Sequence, residues 1–108
     1  MESVSLGNME KHVPHYRLNE IQSIVAEVGL QAFTATAAFN AAAMGLTGAQ
    51  AVAVVLTLSR SMFYKSMTTY ADHTVWQDVY HAPTPTGKVA YIKLTLQSGA
   101  AVIQFKEK

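Results

Sequence analysis

Residues 88–105 read KVAYIKLTLQSGAAVIQF. Apolar and polar residues alternate on both sides of Ser98-Gly99, the pattern of two strands joined by a tight two-residue turn. Such a turn pairs Gln97 with Ala100, so Leu96 faces Ala101, Leu94 faces Ile103 and Ile92 faces Phe105. These pairs form one apolar side, which supports the register, because a slip of one residue would turn every side chain over. On the opposite side Tyr91 stands against Lys106, with Cβ atoms about 5 Å apart. Lys93 and Gln104 extend that polar face.

Working outward, VWQDVY (75–80) reads as another strand, and HAPTPTG (81–87), with two prolines and a glycine, reads as a loop. If the loop is symmetric about Thr84, Tyr80 pairs with Lys88 and Gln77 falls opposite Tyr91. Gln77, Tyr91 and Lys106 then make a row across three strands. The same reasoning across ADHT (71–74) pairs Thr68 with Gln77 and puts Lys65 on the other face; a bulge or a loop of odd length would bring it round.

The first half is helical. LNEIQSIVAEVG (18–29) places Leu18, Ile21, Ile24, Val25 and Val28 on one face, with Gly29 to stop the helix. LQAFT (30–34) suits a short strand. Alanine-rich residues 35–44 favour helix and end at Gly45. Thr47 caps a third helix through Leu58. Helices followed by an antiparallel sheet make an α+β fold.

No residue from Val28 to Ser59 is charged, yet Asn40, Gln50, Gly45, Gly48 and several threonines interrupt the stretch. It therefore reads as two short helices buried against a sheet and not as a membrane span. The net charge of +1 hides an asymmetry: residues 60–108 carry six Lys or Arg against Asp72, Asp78 and Glu107. A mildly basic second half suits an anionic partner. The absence of cysteine excludes disulfides, thiolate metal sites and a cysteine nucleophile. A second methionine, Met9, leaves residues 1–8 as an unstructured extension or tag ahead of one domain at 9–108. With no apolar leader, the expected location is the cytoplasm.

The polar residues concentrate in FYKSMTTYADHTVWQDVY (63–80) and on the Tyr91 face. Such residues are also ordinary on a solvated sheet. Lysine and tyrosine titrate near 10 and are poor bases at neutral pH unless their surroundings shift them. Basic and phenolic groups without a metal suit phosphodiester transfer, in which an RNA 2′-hydroxyl attacks the adjacent phosphate. Trp76 and the tyrosines offer rings on which unpaired bases stack. Asp72 and Asp78 are too isolated for a two-metal nuclease. His12 and His15 have an HxxH spacing but no third ligand nearby. His73 is an acid, a phosphate contact or a turn residue.

These residues resemble the MqsR toxin family: FYKSMTTYADHTVWQDVY, TGKVAYIKLT (86–95), the terminal FKEK, and MEKHVPHYRL from Met9. The resemblance implies a RelE-like fold and a metal-independent mRNA endoribonuclease, without cofactor, that cuts at GC-containing sites. It implies a type II toxin–antitoxin system whose antitoxin carries a zinc-binding segment and a helix-turn-helix, so DNA is met only through that partner. The family's active-site residues fall on Lys65, Gln77, Tyr91 and Lys106, and Tyr64, Met67 and His73 match its pocket. The chain departs from the family in its alanine-rich middle, in an extra residue near Val89-Ala90, and in His81, where arginine commonly follows WQDVY. The expected roles are phosphate binding by Lys65 and Lys106, acid or base work by Tyr91, and RNA positioning by Gln77. The rivals are a non-catalytic RNA- or ribosome-binding protein and a structural partner protein.

Overall fold

The computed structural model describes residues 9–108; residues 1–8, expected to be an extension, lie outside them. Five strands form one antiparallel sheet in sequential order: β1 (Glu10–Lys11), β2 (Phe63–Thr68), β3 (Trp76–Pro83), β4 (Val89–Gln97) and β5 (Ala100–Glu107). Three helices, α1 (Leu18–Val28), α2 (Ala35–Ala43) and α3 (Gly48–Leu56), precede β2 and pack on one side of the sheet. The fold is α+β.

The β4–β5 hairpin has the expected register, from Gln97 opposite Ala100 to Tyr91 opposite Lys106. Ser98 and Gly99 both adopt positive φ, 53° and 79°, as a primed two-residue turn requires. Ile92, Leu94, Ile103 and Phe105 point to the helices and are buried with Tyr80 of β3 and Ile21, Val25, Ala41 and Val55 of the helices.

The β3–β4 register corrects the sequence reading. His81, Ala82 and Pro83 continue β3, so Pro83 lies opposite Val89 and His81, not Gln77, lies opposite Tyr91. The loop shrinks to residues 84–88, because Thr84 closes it by donating from its amide and from Oγ1 to the Lys88 carbonyl at 3.0 and 2.6 Å. Pro83 ends the strand, where a missing N–H is tolerated. Between β2 and β3, Thr68 pairs with Trp76, which makes the intervening loop odd in length and brings Lys65 to the Tyr91 side. A bulge follows at Tyr64, between Phe63 opposite Tyr80 and Lys65 opposite Val79.

Helix α1 buries Ile21 and Val25 and leaves Val28 39% exposed, so Val28 is not on the packed face. Gly29 stops it with φ +63°, a conformation other residues rarely adopt. LQAFT is not a strand: residues 29–32 form a 3₁₀ turn, and only Phe33 bridges to Ile103 before Thr34 caps α2 through the Ala37 amide at 3.0 Å. Thr47 and Gln50 form a reciprocal capping box at the start of α3. Buried Ala37 and Ala41 let α2 lie close along β5, and the Asn40 amide donates to the Phe105 carbonyl at 3.0 Å, covering a sheet edge. Among the described residues no single helix is long and apolar enough to cross a membrane; α2 and α3 meet at 103° and both pack into the core.

The segment before α1 is tied down by one buried carboxylate. Asp78 is 1% exposed; it accepts from the His15 and Tyr16 amides at 3.0 and 2.8 Å and from Ser66 Oγ at 2.6 Å. Asp78→Ala would leave the His15 and Tyr16 amides without an acceptor. The expected loss is about 2–3 kcal/mol in urea unfolding, with faster hydrogen exchange at the Tyr16 amide.

Candidate active site

The face of the sheet turned away from the core is set by the strand registers. Lys65, Val79, Lys93 and Gln104 make one row across β2–β5, and His81, Tyr91 and Lys106 make the next. The bulge at Tyr64 lays its ring on His81, 4.5 Å between centroids and 27° from parallel. The other side of this stack is Tyr91, 5.3 Å from His81, and Lys106 Nζ lies 5.2 Å from the Tyr91 ring. Three cations and three aromatic rings therefore share one surface. A cleft of about 300 Å³ opens between this face and α2, lined by Thr34, Asn40, Tyr91, Lys93, Gln104 and Lys106 among others.

Glu10, carried by β1, pairs with Lys65 at 2.7 Å. That hydrogen bond holds the Lys65 ammonium above the ordinary lysine value. Lys93 goes the other way, lowered by burial and by the positive charge of Lys106. His81 is also lowered, first by burial and then by Lys108, and its Nε2 is enclosed with no hydrogen-bond partner. Tyr80, beneath the sheet, is pushed up to about 12 by burial, so it stays a phenol and faces the core.

The structure brings together Lys65, Tyr91, Lys93 and Lys106, with Tyr64 beside them. Met67 lies on the same face, opposite Gln77. Gln77 is buried, 7% exposed, and sits four residues along β3 from the position opposite Tyr91. The expected row Gln77–Tyr91–Lys106 is thus His81–Tyr91–Lys106. Trp76, expected to offer its ring here, points to the opposite face. His15 stacks on that ring at 5.4 Å, and Lys11 Nζ sits over it at 4.2 Å. His15 is lowered by burial and by Lys11, whose Nζ donates to its Nδ1 at 2.9 Å. His73 is exposed in the β2–β3 loop, where the Asp72 amide donates to Thr69 Oγ1 and the Thr74 amide donates to Asp72 Oδ1.

Sequence reasoning missed Glu10 and His81 as members of this face. Two residues of edge strand carry no periodicity, and His81 was hidden in a segment that prolines mark as a loop. Its place between two tyrosines has a titration signature. The folded ring binds its proton less tightly than an unfolded histidine, which titrates near 6.5. The unfolded chain therefore protonates first as pH falls, and the stability His81 contributes above that point declines toward the lower folded value. An NMR titration is expected to give His81 a midpoint below 6.5, moving up toward it in Tyr64→Ala as solvent reaches the ring.

Comparison with known proteins gives this face a context. Residues 13–107 match the family described as motility quorum-sensing regulator, toxin of MqsA. The chain is 45% identical over 100 residues to the mRNA interferase toxin MqsR of Escherichia coli (strain K12), covering 93% of this chain and the whole of that protein. With a match across nearly its entire described length, the chain belongs to the MqsR toxin family.

Proposed function

We infer that this protein is an mRNA endoribonuclease, the toxin of a toxin–antitoxin pair. The observation that carries this reading is the meeting of Lys65, Tyr91 and Lys106 on one open sheet face, in a chain 45% identical to an mRNA interferase toxin. Two ammonium groups flanking a phenol provide two of the parts that in-line attack by a 2′-hydroxyl needs. Cations neutralise charge growing on the phosphoryl oxygens, and a proton donor meets the departing 5′-oxygen. Lys65 and Lys106 hold the phosphate, and Tyr91 works on a proton. Gln77, buried beside that surface, positions the RNA through the residues above it. Tyr64, Met67, Lys93 and the loop residue His73 line its approach.

The finer features follow from the family. Cleavage falls at GC-containing sites, and the antitoxin brings a zinc-binding segment and a helix-turn-helix, so the toxin reaches DNA only through it. Residues 9–108 act as one unit, in the cytoplasm where messages are translated.

The purified chain, incubated with single-stranded RNA in EDTA, is expected to leave 2′,3′-cyclic phosphate and 5′-hydroxyl ends. Lys65→Ala and Lys106→Ala are each expected to slow cleavage by roughly 10²–10³, the scale for removing one preorganised charge-stabilising group. Expression is expected to arrest growth, and the same substitutions to relieve it. RNA that is bound and shifted on a gel but left intact would identify a binding protein instead.

A further inference from the structure

The proposed chemistry lacks one part. The attacking 2′-hydroxyl must lose a proton, and lysine and tyrosine hold theirs at neutral pH. His81 is poorly placed to accept it: its ring is stacked between Tyr64 and Tyr91, and its Nε2 is enclosed. His73 lies out in the exposed β2–β3 loop, so on the sheet itself one carboxylate remains. Among the described strand residues, the registers put a single acidic side chain on this face, that of Glu10. Asp78 and Glu107 belong to the opposite parity, and Glu107 turns to Lys88 at 3.7 Å.

We propose that Glu10 is the general base of the reaction, released from Lys65 when RNA phosphate takes its place. The proposal rests on the endoribonuclease reading above and assigns its missing group. Glu10 Oε2 lies 2.7 Å from Lys65 Nζ, so a phosphate bound to Lys65 displaces or crowds this carboxylate. Freed of the ammonium, the carboxylate has its oxygens open to accept a proton. At 46% exposed, the Glu10 side chain has room to swing aside without leaving the site.

The order of strands suits in-line attack, which needs base and acid on opposite sides of phosphorus. Glu10 comes from β1, Lys65 from β2 and Tyr91 from β4, so base and acid are three strand spacings apart, with the cation between them. Glu10 is level with Met67 and Gln77, and Tyr91 with His81 four residues along β3. At about 4.8 Å per spacing and about 3.3 Å per residue, the two backbones lie roughly 19 Å apart on a diagonal that passes Lys65. Both side chains lean inward along it to reach one phosphoryl group. In the step, the 2′-hydroxyl proton passes to Glu10 and the 2′-oxygen bonds to phosphorus. The bond from phosphorus to the 5′-oxygen breaks, its electron pair leaves on that oxygen, and the Tyr91 hydroxyl protonates it. Solvent returns the proton from Glu10 to Tyr91.

The test uses the full chain carrying Glu10→Gln, which keeps a hydrogen-bonding group beside Lys65 and removes the charge. Cleavage of a defined RNA is expected to fall by roughly 10²–10⁴. Binding of the same RNA with a single 2′-deoxy nucleotide at the cut site is expected to hold or tighten, because a competitor for Lys65 is gone. The rise of log kcat/KM with pH on the acid side should flatten, and Glu10→Asp should recover part of the rate. A merely structural Glu10 would weaken binding and cleavage together. That outcome, or a Glu10→Gln rate within about threefold of the parent with an unchanged pH profile, would overturn the proposal. Failure of the parent chain itself to cut, or undiminished cutting by Lys65→Ala, would overturn the underlying reading of the site.

Discussion

In an antiparallel meander, the face on which a side chain emerges is fixed by the number of residues in each connection. Two residues join β4 to β5, five join β3 to β4 and seven join β2 to β3. Those lengths send Lys65, His81 and Tyr91 to the same side as Lys93 and Lys106, and send Tyr80, Ile92, Leu94 and Phe105 to the core. Changing any one connection by a single residue would exchange core and surface on the strands beyond it. The bulge at Tyr64 works within this constraint: it lets Phe63 stay with the core while Tyr64 and Lys65 both reach the outer face.

The helices serve this arrangement from behind. They cover the inner face with small and branched side chains, and α2 closes the β5 edge through Asn40. At the other edge, Asp78 does what a longer strand would otherwise do. Its buried carboxylate gathers two backbone amides and a serine hydroxyl, and so anchors the segment that carries β1. The contact of Glu10 with Lys65 therefore depends on a residue of the opposite face. Trp76 belongs to the same anchor, packed under His15 and Lys11 with its carbonyl accepting from Tyr16 at 2.8 Å.

Electrostatically the outer face is uneven. Lys65 is held charged by a carboxylate, whereas Lys93 is pushed toward neutrality by burial and by Lys106. An anion arriving here relieves repulsion at the β4–β5 end and competes with a carboxylate at the β1–β2 end. The Tyr64–His81 stack beside Lys65 offers flat rings of the kind on which unpaired bases stack.

Local chemistry by itself determined the helices, the cap at Thr47, the stop at Gly29 and the hairpin at Ser98-Gly99. Each is decided by a few neighbouring residues. Through that hairpin the sequence also determined the pairing of Tyr91 with Lys106, since a two-residue turn leaves no freedom of register. It did not determine where β3 ends, because the hydrogen bonds from Thr84 to the Lys88 carbonyl outweigh the loop signal of two prolines. From that followed the replacement of Gln77 by His81 opposite Tyr91. Only the tertiary structure decided which way Trp76 faces, since its apolar side needed the distant segment at Lys11 and His15. Only it decided that Glu10 meets Lys65, fifty-five positions away, because a two-residue edge strand has no periodicity to read and is held by the acceptor Asp78 on another strand.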